Sequence, residues 1–175
     1  MKTETKEAQN QSQIDSYREL GPSTLGPWTS HIWRNDPRHM CFLLSRYKFV
    51  SKLLQGYKKA VEIGCGDAVG TPIVLQSVEN ILGIDFEPLV LDDARERYEK
   101  EQEKHVDFLL HDMTLEPVPS GPFDAAYSLD VIEHIPPDKE IDFIDNIADS
   151  LIERGVVILG TPNITANEYA SAGSK

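Results

Sequence analysis

Apolar positions along this chain follow two alternating rhythms. Short runs at Ala60–Ile63, Ile81–Ile84, Val106–Leu110, Asp124–Ser128 and Val156–Leu159 have the length and branched character of strands buried on both faces. Between and before them the apolar residues recur at helical steps. From Cys41 to Gly56, Leu43, Tyr47, Val50 and Leu54 are spaced by four, three and four, and Gly56 marks a stop. Helices are predicted over Gly70–Val78 and over Leu89–Lys104, where Pro88 suits a first turn and Leu91, Ala94 and Tyr98 share a face. Another is predicted over Lys139–Arg154, with Phe143, Ile144, Ile147 and Leu151 turned inward and Gly155 ending it. Five strands joined by helical crossovers give an α/β fold, a doubly wound and mostly parallel sheet.

The same pattern divides the chain. Residues 1–15 are polar and are expected to be disordered. Residues 16–57 form an N-terminal helical segment, irregular and rich in Gly, Pro and Trp at 21–40, that is expected to act as a lid or as a latch on the flank of the sheet. Residues 58–163 hold the strands, and 164–175 make a polar tail. One domain with a sizeable core fits the 175 residues. The chain has no signal-peptide pattern and no apolar run of about 20 residues, so the reading is a cytoplasmic protein with no membrane segment. Its two cysteines suggest neither a disulfide framework nor a metal site.

Charge is unevenly spread. Residues 1–60 hold ten Lys/Arg and five Asp/Glu; the remainder holds seven and twenty-four, giving −12 overall. The acidic body argues against nucleic acid as a partner. The basic stretch from Arg46 to Lys59 is read as a solvated helix face.

The chemistry concentrates in one turn, Val61-Glu62-Ile63-Gly64-Cys65-Gly66-Asp67-Ala68. Glycine is needed there because a β-carbon would hold a ligand away from the backbone. Asp85 closes the next strand at the spacing, about twenty residues, that places a carboxylate on a nucleoside ribose. A carboxylate can accept from both cis-hydroxyls, and Asp112, after the third strand, can accept from an adenine amino group. The dinucleotide fingerprint fits less well, since the third glycine, Gly70, falls one residue late.

These pieces together resemble the class I S-adenosylmethionine-dependent methyltransferases, of Rossmann-like fold, over residues 58–163. Glu62-Ile63-Gly64-Cys65-Gly66 resembles the family's first motif, whose loop holds the methionine part of the cofactor. Gly83-Ile84-Asp85-Phe86 resembles the second, in which the acid binds the ribose and the next residue packs on adenine. His111-Asp112-Met113 resembles the third, with Asp112 on the amino group and Met113 covering the ring. Phe123 to Ser128 followed by Leu129 to Ile135 resembles the fourth strand and its exit, and Gly155 to Leu159 with Thr161-Pro162-Asn163 the fifth. The resemblance implies S-adenosylmethionine as cofactor and S-adenosylhomocysteine as product. It also implies a cofactor site of Glu62, Gly64, Cys65, Gly66, Asp85, Phe86, Asp112, Met113, Ser128 and Leu129, with Cys65 lending its backbone amide. The sequence departs from the family at Ala68, where many members have a third glycine. The resemblance implies further strands after the fifth, so the chain is expected to be either C-terminally truncated or a pared-down fold lacking the last strands, and an exposed sheet edge would then favour a homo-oligomer.

Asp130, Glu133 and His134 share one face if a helix begins there. The segment resembles the Glu-x-x-Glu-His of the small-RNA 2′-O-methyltransferases and of the ubiquinone-pathway O-methyltransferases, where it holds a divalent metal. Three roles are open: metal ligation by Asp130, Glu133 and His134; His134, then Glu133, as base or acceptor-positioning group; or a structural role. The expected function is methyl transfer to an O or N of a small-molecule acceptor. Its rivals are a non-catalytic cofactor-binding module and a nicotinamide-dependent oxidoreductase.

Overall fold

The computed structural model describes residues 4–163 and 165. At the centre of the sheet lies β1 (Lys59–Ile63), whose last four residues, including Glu62, are all buried. It is flanked by β2 (Asn80–Asp85) and β4 (Phe123–Leu129), with β3 (Val106–Leu110) and β5 (Leu151–Gly160) outside them. The order is β3-β2-β1-β4-β5 and every pairing is parallel. Strand order therefore reverses between β1 and β4, which opens a crevice beyond their carboxyl ends.

Six helices accompany the strands among the described residues: α1 (Gln11–Leu20), α2 (Pro27–Asn35), α3 (Pro37–Leu53), α4 (Thr71–Leu75), α5 (Pro88–Lys100) and α6 (Glu140–Asp149). Alternate residues of β1 serve opposite faces, as strand geometry requires. Ala60 meets Tyr47, Val50 and Leu54 of α3, Val74 of α4, and Ala94 and Tyr98 of α5 in one cluster. Val61 and Ile63 meet Phe143 and Ile147 of α6 in the other. The period-four and period-three steps read in α3 and α5 are thus the buried stripes of those helices.

The structure differs from the sequence reading in several places, one being the stretch 21–40, read as irregular, where Pro27–Asn35 and the start of Pro37–Leu53 are helical. Gln11–Leu20 is helical although disorder was expected to residue 15. None of its residues is buried, and local pairs support it: Gln11 donates to Asp15 at 2.8 Å, and Arg18 reaches the same carboxylate at 3.3 Å. The helix expected over Lys139–Arg154 ends at Asp149. Ser150 stops it, donating its hydroxyl to Asn146 O, accepting from Val118 N, and offering its carbonyl to Phe123 N. Leu151 then pairs with Phe123, so it is strand rather than helix, Gly155 lies inside β5, and Ile144 is 39% exposed. The register jumps from Phe123–Leu151 to Ala125–Val156, which throws Ile152–Gly155 out of the ladder with Arg154 at φ 67°. The polar tail 164–175 lies outside the described residues except for Thr165.

Candidate functional site

The turn after β1 is built on left-handed backbone. Gly64 and Gly66 have φ of 71° and 55°, and Ala68 repeats the conformation at 56°. A β-carbon on Gly64 would strike the side chain of Val131, and one on Gly66 would come within 2.9 Å of the Trp28 ring. Glycine is required at both by geometry and by close approach. At Ala68 the strain of a β-carbon, about 1–2 kcal/mol, is partly offset by a methyl group buried in the core.

The loop's amides point inward. Gly64 N and Cys65 N both donate to Ile84 O, at 2.8 and 3.0 Å, and Gly66 N donates to Asp85 Oδ2 at 2.9 Å. The Cys65 amide, expected to face a ligand, is engaged with β2 in this structure. Burial also pushes the Cys65 thiol up, leaving it inert. Asp85 is buried and accepts from Gly66 N and, through Oδ1, from Glu87 N at 2.9 Å. Each of its oxygens keeps a lone pair for a further donor. Glu87 caps α5 by accepting from Leu89 N. Phe86, beside Asp85, is 72% exposed.

At the end of β3, Asp112 accepts from Thr114 N and Oγ1 through Oδ1 alone, at 2.9 and 2.8 Å. Met113 is buried in the core cluster that holds Val61, Ile84 and Phe143. Ser128 is buried and donates to Ile63 O at 3.0 Å, which ties β4 to β1. Leu129 packs against the core and would meet a β-carbon on Gly160.

Glu62 is buried and bonded to α4 and β4. Its Oε2 accepts from Thr71 Oγ1 at 2.6 Å and from Tyr127 OH at 2.8 Å, while Oε1 is buried without a partner. Desolvation pushes its pKa up to about 7 despite these bonds, and burial together with the Glu62 charge raises Tyr47 and Tyr127 as well. The carboxyl shapes the site from below by joining α4 to β4.

Sequence reasoning missed Asp67 and Arg46. Asp67 is buried and accepts from Thr29 N at 2.8 Å and Thr29 Oγ1 at 3.0 Å, capping α2, while its carbonyl accepts from Arg97. A buried aspartate between two turn residues was the available signal. Arg46 was read as part of a solvated face, yet it leaves α3 to pair with Asp130. No local pattern links residues 84 positions apart.

Asp130, at the end of β4, has φ 57° and a buried Oδ1 without a partner. A turn of 3₁₀ helix, Ile132–His134, follows. Glu133 accepts from Thr161 Oγ1 at 3.2 Å, and His134 is exposed. Asp130, Glu133 and His134 do not form a metal-type cluster, and no such group of three occurs among the described residues. An open groove of about 570 Å³ lies at the opposite end of the sheet, around Lys59, Asn80, Asp107 and Phe123, and contains none of these groups.

Comparison with known proteins bears on this arrangement. The profile of the methyltransferase domain family matches residues 61–159, from β1 to β5. A protein of Mycolicibacterium smegmatis named "Probable S-adenosylmethionine-dependent methyltransferase" is 24% identical over 106 residues, covering 61% of this chain and 38% of its own length. The N-methyltransferase NodS of Bradyrhizobium japonicum, solved with S-adenosyl-L-homocysteine, shares the fold with a TM-score of 0.60 at 20% identity, covering 83% of this chain and 70% of that one. The [4+2]-cyclase SpnF does so with a TM-score of 0.59 at 21% identity, covering 66% and 43%. This chain thus spans well under two thirds of the Mycolicibacterium protein and of SpnF.

Proposed function

The chain belongs to the class I S-adenosylmethionine-dependent methyltransferase family, and from that premise we propose that it binds S-adenosylmethionine across the carboxyl ends of β1, β2 and β3. The methyl acceptor would be an O or N of a small molecule. The observation that carries this reading is the joint between Asp85 and Gly66. One buried carboxylate ties the glycine loop to the end of β2 and keeps a lone pair on each oxygen for a further donor. That is a preformed acceptor for paired ribose hydroxyls, set beside the glycine loop.

Other groups support the same reading. Asp112 uses one oxygen in its own turn and has Oδ2 to offer an exocyclic amine. Phe86 is an exposed ring at the strand end where a purine would stack. Trp28 and Thr29 bring α2 onto the loop, which favours a lid over a distant latch. The cofactor supplies an activated methyl group, so the protein's share is binding, orientation and exclusion of water. His134, exposed near the end of β4, is the first candidate to take a proton from the acceptor, and Glu133 the second.

Titration calorimetry with S-adenosylhomocysteine tests the proposal. Binding at micromolar to millimolar ligand is expected, and absence of heat at millimolar ligand would remove it. SpnF, a cyclase of the same fold, favours keeping a second reading in which the cofactor is bound without methyl transfer. A panel of O- and N-acceptors separates the two: an enzyme converts labelled cofactor with at least one of them.

A further inference from the structure

We propose that the outer face of α3 docks the chain on an anionic phospholipid surface, lying along that surface rather than crossing it. This does not depend on the cofactor reading.

α3 carries two apolar stripes where a helix packed on a sheet needs one. Tyr47, Val50 and Leu54 turn into the core. Phe42, Phe49 and Leu53, spaced by seven and four, form a second row that the sheet does not cover, and they are 67%, 60% and 51% exposed. The row is about 16 Å long. Apolar side chains exposed singly are ordinary, but an aligned row marks a contact surface. Exposed rings are concentrated in this part of the chain: of the six exposed aromatic residues among the described residues, all but Phe86 precede residue 50.

Charge selects the partner. α3 contains Arg38, Arg46, Lys48 and Lys52 and no Asp or Glu. Arg46 is taken by Asp130. Arg38, Lys48 and Lys52 are exposed, and among the described residues no ion pair engages them. At 100° per residue they border one side of the Phe42–Phe49–Leu53 row, so free cations flank exposed rings. Rings and leucine enter the interfacial layer of a bilayer while lysine and arginine heads stay at the phosphates. No helix among the described residues is long and apolar enough to cross a membrane, and three apolar side chains on one face suit contact at the interface.

The rest of the chain has the opposite sign, with seven Lys/Arg and twenty-four Asp/Glu in residues 61–175. A screening length of about 8 Å at physiological ionic strength lets the near face act without the remote acidic body. Two copies meeting α3 against α3 would set cation against cation, because the helix has no acid to pair with them. The open grooves around Lys59 and Leu75 hold none of the row's residues, so the face offers a protein partner no pocket there. A fluid lipid layer needs none.

Vesicle flotation tests this. The chain is mixed at about 0.1 M salt with vesicles of phosphatidylcholine alone or of phosphatidylcholine with phosphatidylglycerol. Binding to the anionic vesicles should exceed binding to the neutral ones by about tenfold or more, the scale of two cations near a charged surface. Phe42→Gln with Phe49→Gln, and Lys48→Gln with Lys52→Gln, should each reduce it by about tenfold. All four side chains are exposed, so the urea midpoint should not move. Lys100→Gln with Lys104→Gln removes the same charge outside α3 and should leave binding within about twofold. Equal binding to both vesicles, or an equal loss in that control, would overturn the proposal. So would binding that the phenylalanine variant leaves unchanged, since charge alone would then account for it. If anionic vesicles are not bound at all, the proposal fails and the face is a protein contact. A sedimentation coefficient that falls in the phenylalanine variant would then identify a second copy as the occupant.

Discussion

Of the two oxygens of Glu62, one accepts from Thr71 and Tyr127 and the other is buried without a donor. Its carboxyl titrates near 4.5 in an unfolded chain and near 7 in the folded one. The folded state therefore holds this proton more tightly. The stabilisation is fully present below about pH 4.5 and is lost as the pH climbs to about 7, at a cost of about 3 kcal/mol. Urea unfolding of the wild type should show this loss between about pH 5 and pH 8, and Glu62→Gln should remove that part of the slope. Asp85→Asn should destabilise the chain by about 1–3 kcal/mol, since an amide group would face a backbone N–H. It should also weaken S-adenosylhomocysteine at least tenfold by calorimetry. The turn at Gly64 and Gly66 and the place of Asp85 at the end of β2 were legible in the sequence because fixed local spacing sets them. Asp67 with Thr29 and Arg46 with Asp130 were not, because each partner lies in a different rhythm of the chain.

Elements were legible where one physical signal dominated. The stripes of α3 and α5 and the run of β3 show single periodicities, and the structure follows them. The boundary between α6 and β5 was hidden because Leu151 extends the helical spacing of Phe143 and Ile147 while its backbone is claimed by Phe123. Past that point Arg154 sits in left-handed backbone with an exposed side chain. Arg154→Gly should raise stability by about 0.5–1 kcal/mol, the relief of strain less the added freedom of the unfolded chain, read as an upward shift of the urea midpoint. The N-terminal layer responds to a different group. Asp67→Ala removes the cap of α2 and should cost about 1–2 kcal/mol. Hydrogen exchange should then rise in Pro27–Asn35 ahead of the sheet.

At the scale of the whole molecule, β5 is an outer strand of the sheet among the described residues, and Val157 and Leu159 on it are each 41% exposed. Exposed strand edges with branched residues invite pairing with another chain. A concentration-dependent increase in sedimentation coefficient is expected, reduced by Val157→Lys; a monomer at all concentrations would exclude edge pairing. The alternation of strand and helix made the layered architecture legible from hydrophobic pattern alone. Where α2 docks was not legible, because its tie to the glycine loop is a polar contact from Thr29 to Asp67.

The central position of β1 also sets an order of events during synthesis. β2 follows β1 closely, but the other neighbour, β4, pairs Ser128 with Ile63 across 65 residues. At a ribosomal rate of about 5–20 residues per second, that flank of β1 waits roughly 3–13 seconds for its partner. The nascent chain must therefore pass through a stage in which three strands and the N-terminal helices are complete and the apolar flank of β1 is open. The left side of the crevice is finished before the right side exists, and the interval is when this chain is most exposed to capture by a chaperone or by a neighbour on the same message.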